Sequence, residues 1–233
     1  MAKKKRKTKK AKKKKRIVKK RKRKVVESAK TLEPRELIHR TRIRVIGIGG
    51  GGSSIVSEIA PQVARVDFIV ANTDVQALKQ AARETKILHF GQNLTGGLGC
   101  GMDARLGQKA VKEEKQKIVK LFKGIDLCIL IASLGGGTGS GAAPEFAKIA
   151  RDLKVMTFGI FTLPFKFEGG KKSQVARNSL RKLTPYLNAL AIIPNENIFQ
   201  IIDKKTPLKE AFSAVNRRLA ESLRGLCEMI YLP

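Results

Sequence analysis

The sequence predicts an α/β fold, a doubly wound and mostly parallel sheet that ends in a long core helix. Three observations carry that expectation. Short apolar runs alternate with helix-like segments along residues 42–206. Glycine-rich stretches follow two of those runs directly, "GIGGGG" at 47–52 and "GGGTGSG" at 135–141. After residue 206 the pattern becomes one long amphipathic repeat. Strands that alternate with helices are covered on both faces and pair in parallel.

Taken in order, "RIRVIGI" is a strand running into glycine, and "VDFIVANTD" is a second strand with a polar end. "TKILHFG" supplies a third. One charged helix is expected over 103–122, "DARLGQKAVKEEKQKIVKLF", from apolar residues spaced by three and four. "DLCILIAS" is the fourth strand. The helix after it is expected to begin near Gly139, with Phe146, Ile149, Ala150 and Leu153 on its buried face. Pro144 suits its first turn, where a missing N–H is no loss. "VMTFGIFTLPF" and "LNALAIIP" complete six strands. Thr206-Pro207 opens the last helix, with apolar residues at Leu208, Phe212, Val215, Leu219, Leu223, Leu226 and Ile230. Nothing in the sequence is seen to cover that helix's far end.

Charge divides the chain. Of 233 residues, 49 are Lys or Arg and 19 Asp or Glu, a net +30, and residues 1–24 alone hold 18 basic residues and no acid. Residues 1–41 therefore read as a disordered basic extension with a short lead, 42–206 as the α/β domain and 207–233 as the long central helix. The extension is either a solvated low-complexity segment or a contact for nucleic acid or anionic membrane. It lacks the apolar core of a secretory signal, and no stretch has the roughly 18 apolar residues of a membrane span. Cys100, Cys128 and Cys227 show no paired spacing, which suits a reducing cytoplasm. His39 and His89 have no partner at metal-ligand spacing, so zinc chemistry is not expected.

In a doubly wound sheet, ligands bind beyond the carboxyl ends of the strands. That rule puts the connections 47–54, 71–74, 94–103, 135–141 and 162–172 on one rim. Helix N-termini behind glycine loops favour phosphate, with the backbone free to approach it closely. Residues 47–52 satisfy the dinucleotide fingerprint with Asp74 downstream, a weak match because any glycine run satisfies it. The Walker pattern is absent. A second, denser glycine loop points instead to a triphosphate held by several loops.

The segments "VIGIGGGG", "VANTDVQAL", "TGGLGCG", "GGGTGSGAAP", "PFKFEG" and "IPNEN" together resemble the tubulin superfamily and, within it, the FtsZ family of bacterial cell-division GTPases. The resemblance runs from about residue 42 to 233 in matching order. It implies GTP or GDP with Mg2+ as ligand, a cytoplasmic protein at the division site, and self-association into protofilaments beside other division-machinery proteins. A first phosphate loop is implied at Gly49, Gly50, Gly51, Gly52, Ser53 and Ser54, where the family usually ends the loop Gly-Asn. Asn72, Thr73 and Asp74 would lie near the phosphates and Mg2+. Gly97, Gly99 and Gly101 would sense the γ-phosphate, with Cys100 in place of the usual alanine. Gly136, Gly137, Thr138, Gly139 and Ser140 would cradle the phosphates. Glu168 matches the ribose acid, and Lys172 stands where arginine is general. Asn195 and Asn216 match the guanine readers, and Phe212 either stacks on the base or serves the core.

Hydrolysis in this family is implied to need an acidic loop after the long helix, acting on the neighbouring subunit's nucleotide. That loop is expected after Pro233, so no catalytic residue is expected in this chain, and turnover by the chain alone is expected weak or absent. A truncated, non-hydrolysing GTP-binding cap or scaffold, tethered by the basic tail, is the alternative. A Rossmann-type NAD enzyme is the third reading.

Overall fold

A computed structural model of the chain describes residues 41–200, 203 and 206–231. The expectations placed on residues 1–40 lie outside this range. Among the described residues six strands form one sheet: β1 (Ile43–Ile48), β2 (Asp67–Asn72), β3 (Thr85–His89), β4 (Leu127–Ser133), β5 (Met156–Leu163) and β6 (Ala189–Pro194). Their spatial order is β3-β2-β1-β4-β5-β6, and every pairing is parallel. Successive side chains point to opposite faces. Ile46, Ile48, Cys128 and Leu130 thus enter one core, while Ile43, Val45, Ile129 and Ile131 enter the other.

The helices in chain order are α1 (Gly49–Ile59), α2 (Val75–Lys79), α3 (Gln92–Thr95), α4 (Ala104–Glu113), α5 (Lys115–Lys120), α6 (Gly137–Asp152), α7 (Gly170–Leu183) and α8 (Leu208–Tyr231). α4, α5, α6 and α7 pack on the first core; α1, α2 and α8 pack on the second. The winding reverses between adjacent β1 and β4, the position at which a doubly wound sheet has its crevice, outside the carboxyl ends of the strands. Among the described residues no helix is long and apolar enough to cross a membrane.

Three local expectations are corrected. The single helix over 103–122 is two helices, α4 and α5, broken at Glu114 with φ −104° and ψ 27°. Its carboxylate accepts from the Gly91 N–H at 2.8 Å, which ties the break to the loop after β3. α6 begins at Gly137, so Pro144 lies inside the helix rather than in its first turn. Proline leaves the Ser140 carbonyl without its i+4 donor. Ser179 of α7 replaces that donor, its hydroxyl 2.7 Å from the carbonyl. Phe146, Ile149 and Ala150 are buried, but Leu153 is the C-cap residue and 41% exposed.

The third correction concerns α8. Its buried line runs through Ala211, Asn216, Ala220, Leu223 and Cys227, with Leu208 exposed and Leu219, Leu226 and Ile230 only half-buried. Small residues at the centre of that line let the helix approach α1 and the sheet. Its far end is covered after all: the Tyr231 hydroxyl donates toward the carbonyls of Thr41 and Arg65, at 2.9 and 3.1 Å.

Candidate functional site

The loops after β1 and β4 are packed into one another. A Cβ on Gly49 would stand 2.7 Å from the Gly139 nitrogen, and one on Gly139 would stand 2.6 Å from the Ser133 carbonyl oxygen. Gly51 lies against the Ser133 side chain and Gly52 against the Ile131 carbonyl. Gly49 also has φ 74°, which glycine alone adopts without penalty. Eight of the ten glycines in the two motifs therefore lie tight against other protein atoms, with Gly49, Gly52 and Gly139 against the backbone of the facing segment, and leave no room there for a phosphate. Gly50 and Gly136 are different, since nothing lies within 4 Å of where their Cβ would stand. At those two positions the bare backbone faces open space.

Two helices begin in this crevice without a side-chain cap, α1 after Ile48 and α6 after Gly136. α2 and α4, by contrast, are capped by the carboxylates of Asp74 and Asp103. Uncapped N-termini carry partial positive charge and unpaired amides, the setting that favours an anion. One amide of α6 is already committed, because the Gly137 N–H donates to the Gly101 carbonyl at 2.7 Å.

That bond joins the third expected loop to the fourth. The second loop joins both: Thr73 Oγ1 lies 2.7 Å from Thr138 Oγ1 and 3.4 Å from Cys100 Sγ, and Gly99 N–H donates to the Thr73 carbonyl at 3.3 Å. Val75 N–H donates to the Gly97 carbonyl at 3.0 Å. Asp74 spends Oδ1 on the amides of Gln76 and Ala77, at 2.8 and 3.1 Å. Ser140 likewise works within its own loop, accepting from Gly135 N–H at 2.7 Å. Two expected residues hold buried polar atoms with no partner, Ser53 Oγ and Asn72 Nδ2. Such orphans are rare enough to require a reason. The Asn72 side-chain oxygen Oδ1 is meanwhile held by the amides of Thr73 and Asp74.

Beside the crevice lies a cavity of about 470 Å³ between α1, the ends of β4–β6 and α8. Five expected residues line it: Gly51, Ser54, Asn195, Phe212 and Asn216. Phe212 is also part of a small cluster with Phe165, Ile198 and Ala211, its ring edge-on to Phe165 at 5.9 Å. The walls also include Thr162, from the expected connection 162–172, and Glu58, Ser133 and Ile198, which were not anticipated. Glu58 is the most consequential, because its carboxylate accepts from the Asn216 amide at 2.6 Å. Its only sequence signal is the i, i+4 spacing that puts it on the Ser54 face of α1.

Glu168 and Lys172 stand apart from the cavity walls and pair with each other at 2.8 Å. Glu168 also accepts from Phe165 N–H at 2.8 Å. Burial opposes its ionised form, but the Lys172 ammonium and that amide outweigh it and hold the carboxyl below its ordinary value. Among the described residues no group of three or more His, Cys, Asp or Glu is placed to hold a metal ion.

Residues 42–203 match the Tubulin/FtsZ family, GTPase domain. The cell division protein FtsZ of Buchnera aphidicola (subsp. Acyrthosiphon pisum, strain APS) is 38% identical over 202 residues, covering 86% of this chain and 52% of that protein. FtsZ of Azotobacter vinelandii is 39% identical over 191 residues, covering 82% and 48%. The solved empty FtsZ dimer from M. jannaschii superposes with a TM-score of 0.75 at 31% identity, covering 91% of this chain and 60% of that one. The chain spans about half the length of the Buchnera and Azotobacter relatives. With the parallel sheet, the interlocked glycine loops and this match across residues 42–203, the chain belongs to the Tubulin/FtsZ family and carries its GTPase domain.

Proposed function

We propose that the rim and its cavity bind GTP or GDP, and that the chain acts as an FtsZ-like cytoskeletal protein of cell division. Subunits associate head to tail into filaments, and GTP is hydrolysed where two of them meet. One observation carries the reading: two uncapped helix N-termini converge beside a 470 Å³ cavity, and the segments that follow β1 and end β2 hold the buried, unpaired donors Ser53 Oγ and Asn72 Nδ2. The cavity's size suits a small ligand. Phosphates would lie over Gly50, Gly136 and the starts of α1 and α6, and Ser53 and Asn72 would donate to them. Thr73, Gly97, Gly99 and Gly101 shape the loops around Thr138, where a terminal phosphate would be felt. Asn195 and Asn216 would read the guanine edge, with Phe212 as a wall against the ring. Residues 42–206 are the nucleotide-binding unit, and the segment 207–233 contributes α8, which closes its base end.

GTP would supply the phosphoanhydride that is cleaved, and Asp74 would lie near a Mg2+ ion brought with the nucleotide, whose charge would offset that of the phosphates. Ribose binding would require Glu168 to share its carboxylate between Lys172 and a sugar hydroxyl. Four carboxylates of the rim are structurally engaged: Asp74 and Asp103 as caps, Glu168 by Lys172, and Glu196 by the Lys166 amide. This supports the expectation that water is activated by acidic groups of another subunit, and it favours the non-hydrolysing cap or scaffold as second reading for the chain alone. A related FtsZ was solved as a dimer, which supports self-association here. The reading includes a place in the cytoplasm at the division site, division-machinery partners, and a basic tail that contacts nucleic acid or anionic membrane.

Calorimetry with the intact chain tests the pocket. Saturable heat is expected with GTP and GDP and none with NAD; the reverse preference, or silence with guanine nucleotides, overturns it. Turnover is expected to be slight for the chain alone and higher when it is mixed with a full-length homologue.

A further inference from the structure

Charge is distributed unequally between the two helical layers. Residues 104–120, 137–152 and 170–183, which make α4 to α7, hold thirteen Lys or Arg against four Asp or Glu. Residues 49–59, 75–79 and 208–231, which make α1, α2 and α8, hold five against four. The acids of the basic layer are also partly spent: Glu145 accepts from Gln108, and Glu114 from Gly91 N–H and Lys117. Lys109, Lys112, Lys148, Arg177 and Lys182 are exposed and make no ion pair among the described residues.

This layer is not flat. A recess of about 230 Å³ between α4, α6 and α7 is lined by Arg105, Gln108, Asn178 and Lys182 together with Pro144 and Val175. A second, of about 160 Å³, is lined by Lys112, Lys115 and Lys148 together with Glu145 and Asp152. No exposed large apolar side chain lies within α4, α5, α6 or α7.

We propose that the α4–α7 face docks the phosphate backbone of nucleic acid without reading its sequence. Stable attachment to a lipid surface adds apolar insertion to charge, and this face offers only Leu153 and Met102, just beyond the ends of α6 and α4. A nucleic-acid backbone asks only for cations and hydrogen-bond donors, and its projecting phosphates enter recesses that a bilayer spans. Arg105 adds the forked donor geometry that suits phosphate oxygens. The face lies on the side of the sheet away from α1 and α8, and Lys109, Lys112 and Lys148 are not among the residues placed around the nucleotide.

The basic extension brings charge of its own, so the test compares two full-length variants of equal net charge. One is Lys109→Glu/Lys112→Glu/Lys148→Glu, on the face; the other is Lys79→Glu/Arg83→Glu/Arg217→Glu, away from it. Fluorescence anisotropy with a labelled random-sequence DNA duplex is read across a salt series. Relative to the control, the face variant is expected to bind at least about tenfold more weakly. Its log–log salt slope is expected to be shallower by about 3, one unit for each phosphate no longer neutralised. Equal weakening in both variants, or none in either, overturns the proposal. It is also overturned if the face variant keeps its DNA affinity but releases phosphatidylserine vesicles. If the triple reversal melts early by circular dichroism, Lys109→Gln/Lys112→Gln/Lys148→Gln is read by the same criteria.

Discussion

At Asn216 a single hydrogen bond joins the two ends of the fold. Its amide donates to Glu58 across 158 residues of sequence, at a position only 7% exposed. A buried bond to a charged acceptor contributes about 1.5–3 kcal/mol, and it fixes which way the amide faces. Glu58→Ala is therefore expected to weaken GTP binding roughly tenfold and to blunt the preference for GTP over ATP, while Glu58→Gln, which keeps an acceptor, retains most of both. Calorimetry with the two nucleotides checks this; an unchanged GTP-to-ATP ratio in the alanine variant removes Glu58 from the reading of the base. The family resemblance was enough to name Asn216, Asn195 and Phe212, which do line the cavity. It was not enough to name Glu58, whose partner is set by α8 lying on α1 rather than by any local pattern. The glycines show the same limit. Their number was legible, but only the packing separates Gly50 and Gly136, which face open space, from Gly49 and Gly139, which are pressed between the two loops.

Between elements, α6 and α7 share a carbonyl. Pro144 deprives the Ser140 oxygen of its helical donor, and the Ser179 hydroxyl restores one at a buried site. Ser179→Ala is expected to cost about 1–3 kcal/mol by leaving that oxygen unpaired. Adding Pro144→Ala supplies the missing i+4 N–H, so the double variant is expected to recover most of the loss. Urea unfolding of the four-member cycle checks the coupling, and purely additive effects would show that the carbonyl does not link the two sites. The positions of the strands along the chain follow from the apolar runs, because a strand buried on both faces has no other composition available, whereas their order in the sheet is set by tertiary packing. Helix limits were less legible. The break at Glu114 depends on the Gly91 amide, and the start of α6 depends on the Gly101 carbonyl, both supplied by distant loops.

Over the whole molecule, three carboxylates set the response to acid. Asp67 accepts from Arg44 and from Lys86, the latter at 2.7 Å, bridging β2 to both of its neighbours. Burial works against its ionised form, but these two cations outweigh it and hold the carboxyl below its ordinary 3.8. Glu114 and Glu168 behave alike: burial raises and hydrogen bonding lowers, and the net position is below an ordinary 4.5. A carboxyl depressed in the folded state binds fewer protons there than in the unfolded chain. Its contribution to stability is thus complete above the ordinary value and drains away as pH falls through the folded one. Protonation also strips acids from a chain that already carries 49 basic against 19 acidic residues, so repulsion grows in the same direction. The melting temperature is expected to stay nearly level from pH 7 to about 5.5 and to fall steeply below about 4.5. Salt is expected to offset the share due to repulsion, since exposed charges are screened, and to leave the share due to partly buried pairs. Asp67→Asn separates the two shares further: it should melt lower than the parent at neutral pH and lose less on acidification. Calorimetric melts at high and low salt across that range check both effects, and an equally steep decline in the asparagine variant would show that the Arg44–Asp67–Lys86 bridge is not part of the acid response.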